Sequence, residues 1–254
     1  MEDGLNRRAE RDIRFLKAYA LISMPVLLVL AVAAFQRSEQ PTKFDVIDVE
    51  RINVVDRNGT LRMAIANRER LPDPVLGGKS YPLRSGSGAG YAGLIFFNNE
   101  GNENGGLIYQ AARSDSGYQA YAGLSFDQFD QDETVTLSYG DDNGGRRAGL
   151  TVTDRPNVPL QVYAESAMVI RQLPEGPERD RRMQALRADM VRRGLGPARR
   201  LYAGKGVNKE SVVMLADPQG RTRLRLMVDS LGAQSIEFLD ERGTVTYRLP
   251  QANR

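Results

Sequence analysis

The stretch that decides the fold is residues 211–250, SVVMLADPQGRTRLRLMVDSLGAQSIEFLDERGTVTYRLP. It contains one turn pattern, Asp-x-x-Gly, three times, bounded by Asp217 and Gly220, Asp229 and Gly232, and Asp240 and Gly243. In such a turn the Asp side chain accepts backbone N–H bonds, and Gly supplies the positive φ that a type I turn with a bulge requires. The pattern returns at Asp56 and Gly59, and related forms occur at 98–101, 141–144 and 154–157. We therefore predict a series of antiparallel β-hairpins.

The middle hairpin predicts a strand register. A three-residue loop between Asp229 and Ala233 pairs Leu224 with Phe238 and Leu226 with Ile236 on one face. The alternate row then sets Arg225 opposite Glu237 and Arg221 opposite Glu241. Because one face is apolar and the other carries opposite charges, we predict that the apolar face is buried.

The neighbouring hairpins are less well determined. The same rule at the preceding turn pairs Met214 with Leu224 and Val212 with Leu226. At the last turn, apolar pairing of Phe238 with Val245 and of Ile236 with Tyr247 needs a two-residue loop. Glu-Arg suits such a loop poorly, because these residues rarely take positive φ. The register of this hairpin stays open.

Composition excludes several classes of function. The 254 residues include no cysteine, histidine or tryptophan, and the formal charge is +3. Disulfides, zinc sites with Cys or His ligands, and Ser-His-Asp catalysis are therefore excluded. The small net charge and the absence of a stacking platform give no indication of a nucleic-acid partner. No cofactor and no metal are predicted.

The N-terminal region predicts membrane attachment. The uncharged run 18–35, AYALISMPVLLVLAVAAF, just reaches the length that spans a bilayer. A basic tail, residues 1–17, precedes it and predicts a cytoplasmic N-terminus. Residues 36–43 are then a linker, and residues 44–254 an extracytoplasmic domain. Two alternatives are a signal peptide cleaved near 31–33 and a buried soluble helix.

The remaining pattern is mainly β. Strands are predicted at 46–55, 61–66, 93–97, 106–109, 121–126, 134–139, 148–153 and 160–163, with a loop at 71–90. One amphipathic helix is inserted at 177–193. It begins at Pro177, its last turn is basic, and Gly194 follows it. The predicted fold is an N-terminal transmembrane helix followed by a hairpin meander that is sandwich- or barrel-like.

Two segments, FDVIDVERINVVDRNGTLRMAIAN from residue 44 and AGLIFFNNEGNENGGLIY from residue 92, carry a resemblance. Together with the hydrophobic N-terminus, they are similar to a group of uncharacterised bacterial envelope proteins. The resemblance covers most of the chain. It implies a bacterial, membrane-associated or exported origin, and it carries no assigned activity or site residue. Together with the N-terminal run and the basic tail, this predicts location in the cytoplasmic (inner) membrane of a bacterium, with a single pass.

Arginine-rich surfaces are one candidate for binding an anion or a partner. On the predicted helix these are Arg187, Arg192 and Arg193, and on the last meander they are Arg221, Arg223 and Arg225. The helix could lie on anionic lipid or dock on a partner, or its apolar stripe could simply cover one end of the β core. The meander arginines could instead be neutralised by facing acids, as weak surface pairs.

The acidic segment 127–133 is the candidate for chemistry. Paired carboxylates catalyse glycoside hydrolysis, and clustered carboxylates bind Ca²⁺. However, the EF-hand spacing is missing from this segment, and exposed acidic turns without any such role are common. The Gly77-Gly-Lys-Ser80 segment lacks the first Gly of a phosphate-binding loop, and 86–90 lacks the G-x-S-x-G spacing. Both are interpreted as surface loop.

These observations favour a non-enzymatic binding or assembly module, with a hydrolase acting on an envelope glycan as the alternative. Partners would be the membrane, through 18–35, and a second copy or another envelope protein. Self-association is predicted at a sheet edge near Ala64, Ala66 and Gly93, where small residues let a backbone approach. Convergence of the acidic residues in a concave pocket would favour the hydrolase instead.

Overall fold

The computed structural model describes residues 2–35, 43–82 and 90–251, which form two compact units. The first unit contains helix α1, Glu2–Phe35, with Pro25 inside it. The 23 residues Arg11–Ala33 are long and apolar enough to cross a membrane. The predicted span 18–35 is therefore part of a longer helix, and the basic tail continues the same helix. Linker residues 36–42 lie outside the described residues.

The second unit contains a twelve-stranded antiparallel sheet in meander order and confirms the mainly β fold. Its strands are β1 Arg51–Val55, β2 Leu61–Ala66, β5 Ala92–Phe97, β6 Glu103–Ser114, β7 Gly117–Asp127, β8 Glu133–Asp142, β9 Gly145–Asp154, β10 Ala198–Lys205, β11 Ser211–Ala216, β12 Thr222–Val228, β13 Gln234–Leu239 and β14 Val245–Leu249. A separate two-residue hairpin, β3 Val75–Leu76 and β4 Lys79–Ser80, lies in the predicted loop 71–90. Helices α2, Leu160–Arg171, and α3, Pro177–Arg192, connect β9 to β10.

The Asp-x-x-Gly turns form as predicted. Gly59, Gly220, Gly232 and Gly243 have φ between 77° and 89°. At Asp229 the backbone N–H bonds to the carbonyl of Ala233, and the carboxylate accepts the N–H groups of Leu231 and Ala233. The 141–144 segment differs, because only Asn143 and Gly144 separate the paired residues Asp142 and Gly145.

The register around 229–233 is confirmed, but its extension to the neighbouring hairpins is wrong. At β11–β12 Ala216 faces Thr222, and a bulge then places Leu215 opposite Leu224. Val213 accordingly faces Leu226, and Met214 faces Arg225. A bulge adds one residue to one strand, so the pairing beyond it moves by one.

The last hairpin resolves in the same way. Asp240 and Thr244 close a three-residue loop, and Leu239 faces Val245. A bulge then places Phe238 opposite Tyr247 and Ile236 opposite Leu249. Neither the two-residue loop nor the pairs Phe238–Val245 and Ile236–Tyr247 occur. Similar register shifts follow the loops of β1–β2, β5–β6 and β7–β8, whereas β12–β13, which supplied the rule, has none.

The prediction that the apolar face is the buried face is wrong. Phe238 is 43% exposed and Leu226 39%, while Glu237, on the opposite face, is only 5% exposed. Arg225 donates to Glu237 from Nε at 2.7 Å, and Arg248 lies 3.6 Å from the same carboxylate. We name the side of the sheet that carries Ala64, Ile95 and Glu237 the covered face, and the other side the open face.

Around β2 and β5, a connecting segment produces the burial of the covered face. Ala64, Ile95 and Phe97 pack with Leu71 and Val75 of the 71–81 segment. Further along that segment, Leu76 and Tyr81 pack against Ala164 of α2. The prediction of a strand at 160–163 is therefore wrong: apolar residues at 160, 163, 164, 167 and 168 repeat with the helical period and form the packing side of α2.

The predicted sheet edge is also wrong. Strand β2 pairs with β1 on one side and β5 on the other, so Ala64, Ala66 and Gly93 lie inside the sheet. The edges are β1 and β14. Strand β10 was not predicted, since its arginines and Gly204 obscure the strand pattern. The strand predicted at 46–55 is shorter in the structure, where β1 begins at Arg51. The 177–193 helix is confirmed as α3, within a helical pair and not alone.

Candidate functional site

A pocket opens on the covered face, between the sheet and the two helices. Its cavity has a volume of about 230 Å³. One wall comes from the 71–81 segment, α2 and α3, and it is apolar except for Arg171 and Arg187. The other wall comes from the β5–β6 and β7–β8 hairpins. The lining residues are Pro74, Leu76, Glu103, Asp127, Gln131, Asp132, Glu133, Leu160, Tyr163, Ala164, Ala167, Arg171, Met183 and Arg187.

Hydrogen bonds join the β7–β8 loop to the start of α2 and to the segment before it. The N–H of Leu160, the first residue of α2, donates to the carbonyl of Asp130 at 2.8 Å. The buried side chain of Gln131 donates to the carbonyl of Val158 at 2.7 Å. Asp130 itself has a positive φ of 53°. These bonds hold the acidic residues on either side of Asp130 at the pocket.

Arg155 forms ion pairs with two of the carboxylates that line the pocket. It lies 3.3 Å from Asp132 and 3.2 Å from Glu133, and its side chain is only 15% exposed. Its Nε also donates to the backbone carbonyl of Glu133 at 2.7 Å. The guanidinium therefore bridges the pair and fixes its backbone, as a planar five-donor group can.

The two carboxyl groups have pKa values displaced in opposite directions. Burial, the hydrogen bond to Asp132 and the charge of that neighbour raise the pKa of Glu133 to about 8. Burial alone would raise the pKa of Asp132 too, but the hydrogen bond from Glu133 and the charge of Arg155 lower it below its ordinary value. The two pKa values therefore lie apart, as those of a general acid and a neighbouring carboxylate do.

The acidic residues predicted from the sequence are therefore brought together in part. Asp127, Asp132 and Glu133 line the pocket, whereas Asp130 contributes its carbonyl to the start of α2. Within the described residues, no three acidic side chains have an arrangement that could hold a metal ion. The pocket residues of α2, Tyr163 and Arg171, were missed because 160–163 was predicted as a strand.

The predicted arginine surface is divided among separate places. Arg187 lines the pocket, whereas Arg192 and Arg193 form ion pairs with Asp189 on their own helix. On the meander, Arg221 pairs with Asp217 and lies 3.3 Å from Glu241, and Arg225 pairs with Glu237. Arg223 is the extra residue of the β11–β12 bulge. The contacts described for these side chains do not join them into one anion site.

The open face is the second candidate site. Cross-strand pairing connects one apolar residue from every strand into a row: Ile52, Ile65, Leu94, Leu107, Leu124, Leu137, Leu150, Ala203, Val213, Leu226, Ile236 and Leu249. A parallel row contains Val54, Met63, Phe96, Gly105, Phe126, Val135, Val152, Leu201, Leu215, Leu224, Phe238 and Tyr247. Neither row contains a charged side chain.

Some aromatic side chains of these rows contact each other, yet many of the side chains remain accessible. The rings of Phe96 and Phe126 stack with centroids 6.4 Å apart, across the glycine between them. Leu137, in the middle of the sheet, is 57% exposed, and Leu107 is 44% exposed. Single exposed apolar residues are ordinary, but a contiguous patch of this extent marks an interaction surface.

The sequence contained the signal for this surface. In much of the last meander, as in 222–226 and 236–238, apolar residues alternate with polar ones, which is why one apolar face was predicted there. The exposure of that face was missed, since alternation does not reveal which side the connecting segments cover.

Compared with models of known protein families and with characterised proteins, the chain matches none of them.

Proposed function

We propose that this protein is a non-enzymatic binding or assembly module, anchored in a membrane by α1 and acting through the open face. The observation that carries the proposal is the pair of uncharged apolar rows crossing all twelve strands. Leaving such a surface in water is costly at about 25 cal/mol per Å². Its persistence in every strand supports a surface that is occupied when the protein works.

The proposed location is the cytoplasmic membrane of a bacterium, with the β unit outside the cytoplasm. The apolar segment of α1 supports an anchor, and the basic residues before it support a cytoplasmic N-terminus. A reporter enzyme that is active only outside the cytoplasm, fused after Arg254, is expected to be active. An inactive reporter with an active N-terminal fusion would reverse the orientation.

Capture from native membranes tests the binding function. The full chain, used as bait, is expected to retain a specific partner, either itself or an envelope protein identified by mass spectrometry. Leu137→Asp should lower capture at least ten-fold because it places a charge in the centre of the open face. Leu231→Asp is the matched control, since Leu231 is 93% exposed on a turn outside the two rows. Equal capture by both variants would contradict the proposal.

The second candidate is a carboxylate-dependent hydrolase acting on an envelope glycan. It is favoured by the convergence of Asp127, Asp132 and Glu133 in one pocket and by the raised pKa of Glu133. Release of reducing ends from purified envelope glycan, abolished by Glu133→Gln, would support it. Capture that depends on Leu137 but is indifferent to Glu133→Gln would favour the binding module.

A further inference from the structure

We propose that the occupant of the open face is the open face of a second copy of this chain, so that two sheets form a symmetric sandwich. This inference rests on the proposed assembly function and names its partner. Sheets pack face to face about 10 Å apart with strand directions within about 30°. Both copies carry the same strand twist, so their surfaces can follow one another.

Chemistry favours a like partner. The two rows offer aliphatic and aromatic side chains and no charge, so there is nothing with which a charged or polar partner could pair. A two-fold interface needs a patch that is complementary to itself. An uncharged apolar surface meets that requirement without any like-charge contact.

The size of the face suits a stable dimer. Twelve strands spaced about 4.8 Å apart give a width of roughly 53 Å, and two side-chain rows give a height of roughly 13 Å. Each copy could therefore bury up to roughly 700 Å², and the pair roughly 1,400 Å², within the range of specific interfaces. Anchoring both copies in one membrane would also raise their effective concentration.

Other occupants fit the dimensions less well. A bilayer requires an apolar band about 25 Å tall on a sheet, roughly twice the height of these two rows. The apolar segment of α1, Arg11–Ala33, is about 35 Å long, so it would cover roughly two thirds of the width. Neither the hydrocarbon core nor this helix matches the shape of the face.

The sheet edges are the weaker surface for assembly. Strand β1 has five residues, and β14 carries Arg248 and is followed by Pro250. Short edge strands, charge and proline are the means by which proteins block addition of a further strand. Face packing therefore replaces the edge pairing predicted from the sequence.

Photo-crosslinking of the full chain in phospholipid vesicles tests the inference. Because the chain has no cysteine, Leu137→Cys offers one site for a thiol-reactive benzophenone. Irradiation is expected to give a product of twice the chain mass. The control Leu231→Cys should give at least ten-fold less. Co-capture of two differently tagged copies should fall at least ten-fold for Leu137→Asp and stay unchanged for Leu231→Asp.

The remaining outcomes overturn the inference in distinguishable ways. Adducts to lipid, or to residues 18–35 of the same chain, would show a different occupant. An adduct in native membranes to another envelope protein would remove the second copy and leave the assembly function standing. Absence of any adduct from position 137, in vesicles and in native membranes, would overturn both proposals. Leu137→Cys keeps an apolar side chain at this position. The crosslinking result therefore still tests the inference if Leu137→Asp misfolds.

Discussion

The two faces of the sheet are built from the same strands and have opposite environments. On the covered face Ile95 is 1% exposed, and it packs in one cluster with Leu71 and Val75 of the 71–81 segment. On the open face, Leu107 in the adjacent strand is 44% exposed. Even a charged residue, Glu237, is more deeply buried than the leucines behind it. Coverage, and not the hydrophobicity of a row, decides which side of this sheet is interior.

The largest expected effect is a difference between these faces in stability. Ile95→Ala should lower the free energy of unfolding by about 3 kcal/mol, since it leaves a cavity in a closed core. Leu107→Ala should cost less than about 1 kcal/mol in dilute detergent, where the open face has no protein partner. Urea denaturation of both variants measures the contrast. Equal losses would mean that the open face is already filled within one chain.

If the open face pairs with a second copy, the Leu107→Ala cost should grow with protein concentration, since the dimer links folding to association. The Ile95→Ala cost should stay constant over the same range. A concentration-independent Leu107→Ala value would contradict pairing between copies.

Much of the fold could be predicted from local chemistry. Asp and Gly at fixed positions specify the turns, and alternation in 224–238 specifies the register of β12 and β13. The other registers could not be derived from that hairpin, because β12–β13 is without the bulge that follows the loop at 217–221. Nothing in the Asp-x-x-Gly pattern distinguishes a hairpin with this bulge from one without it.

The pocket could be predicted only in part for a related reason. Proximity in sequence brings Asp127, Asp132 and Glu133 together, so the acidic wall was visible in 127–133. The opposite wall depends on α2 and on the 71–81 segment, which reach the pocket through tertiary packing. Arg155 likewise approaches the carboxylates from the end of β9, 22 positions away from Glu133.

The next prediction compares two ion pairs of the last meander. Glu237→Ala should lower the unfolding free energy by about 2 kcal/mol, since it leaves Arg225 partly buried without its carboxylate. Glu241→Ala should cost about 0.5 kcal/mol or less, as its side chain is 70% exposed. Thermal melts of both variants test the ranking. A small loss at Glu237 would restore the surface-pair interpretation made from the sequence.

The contribution of the turns to stability should not depend on either face of the sheet. Gly232 has φ of 89°, and a Cβ added there would meet no atom within 4 Å. Gly232→Val is therefore expected to cost at least about 1 kcal/mol from backbone strain alone. The adjacent Leu231→Ala should change stability by less than about 0.5 kcal/mol. Melts without any loss for Gly232→Val would contradict the assignment of this turn.

The smallest expected effect concerns pH and the pocket on the covered face. Because the pKa of Glu133 rises from an ordinary value of 4.5 to about 8 on folding, the native state keeps a proton that the unfolded chain releases. This group's contribution to stability is therefore complete below about pH 4.5 and declines as pH rises through about 8. Glu133→Gln keeps a donor to Asp132 and carries no charge, so it should not show this decline.

Partial exposure of Glu133 limits the size of the change. Its side chain is 43% exposed, so we expect Glu133→Gln to exceed the wild type by only about 0.5–1 kcal/mol near pH 9, with no advantage near pH 4. Urea denaturation across this range measures the difference, with Glu241→Gln as an acid-to-amide control outside the pocket. A parallel pH dependence of wild type and Glu133→Gln would show that Glu133 ionises normally. The carboxyl pair would then lose its claim to acid–base chemistry, and the open face would be left as the stronger candidate for function.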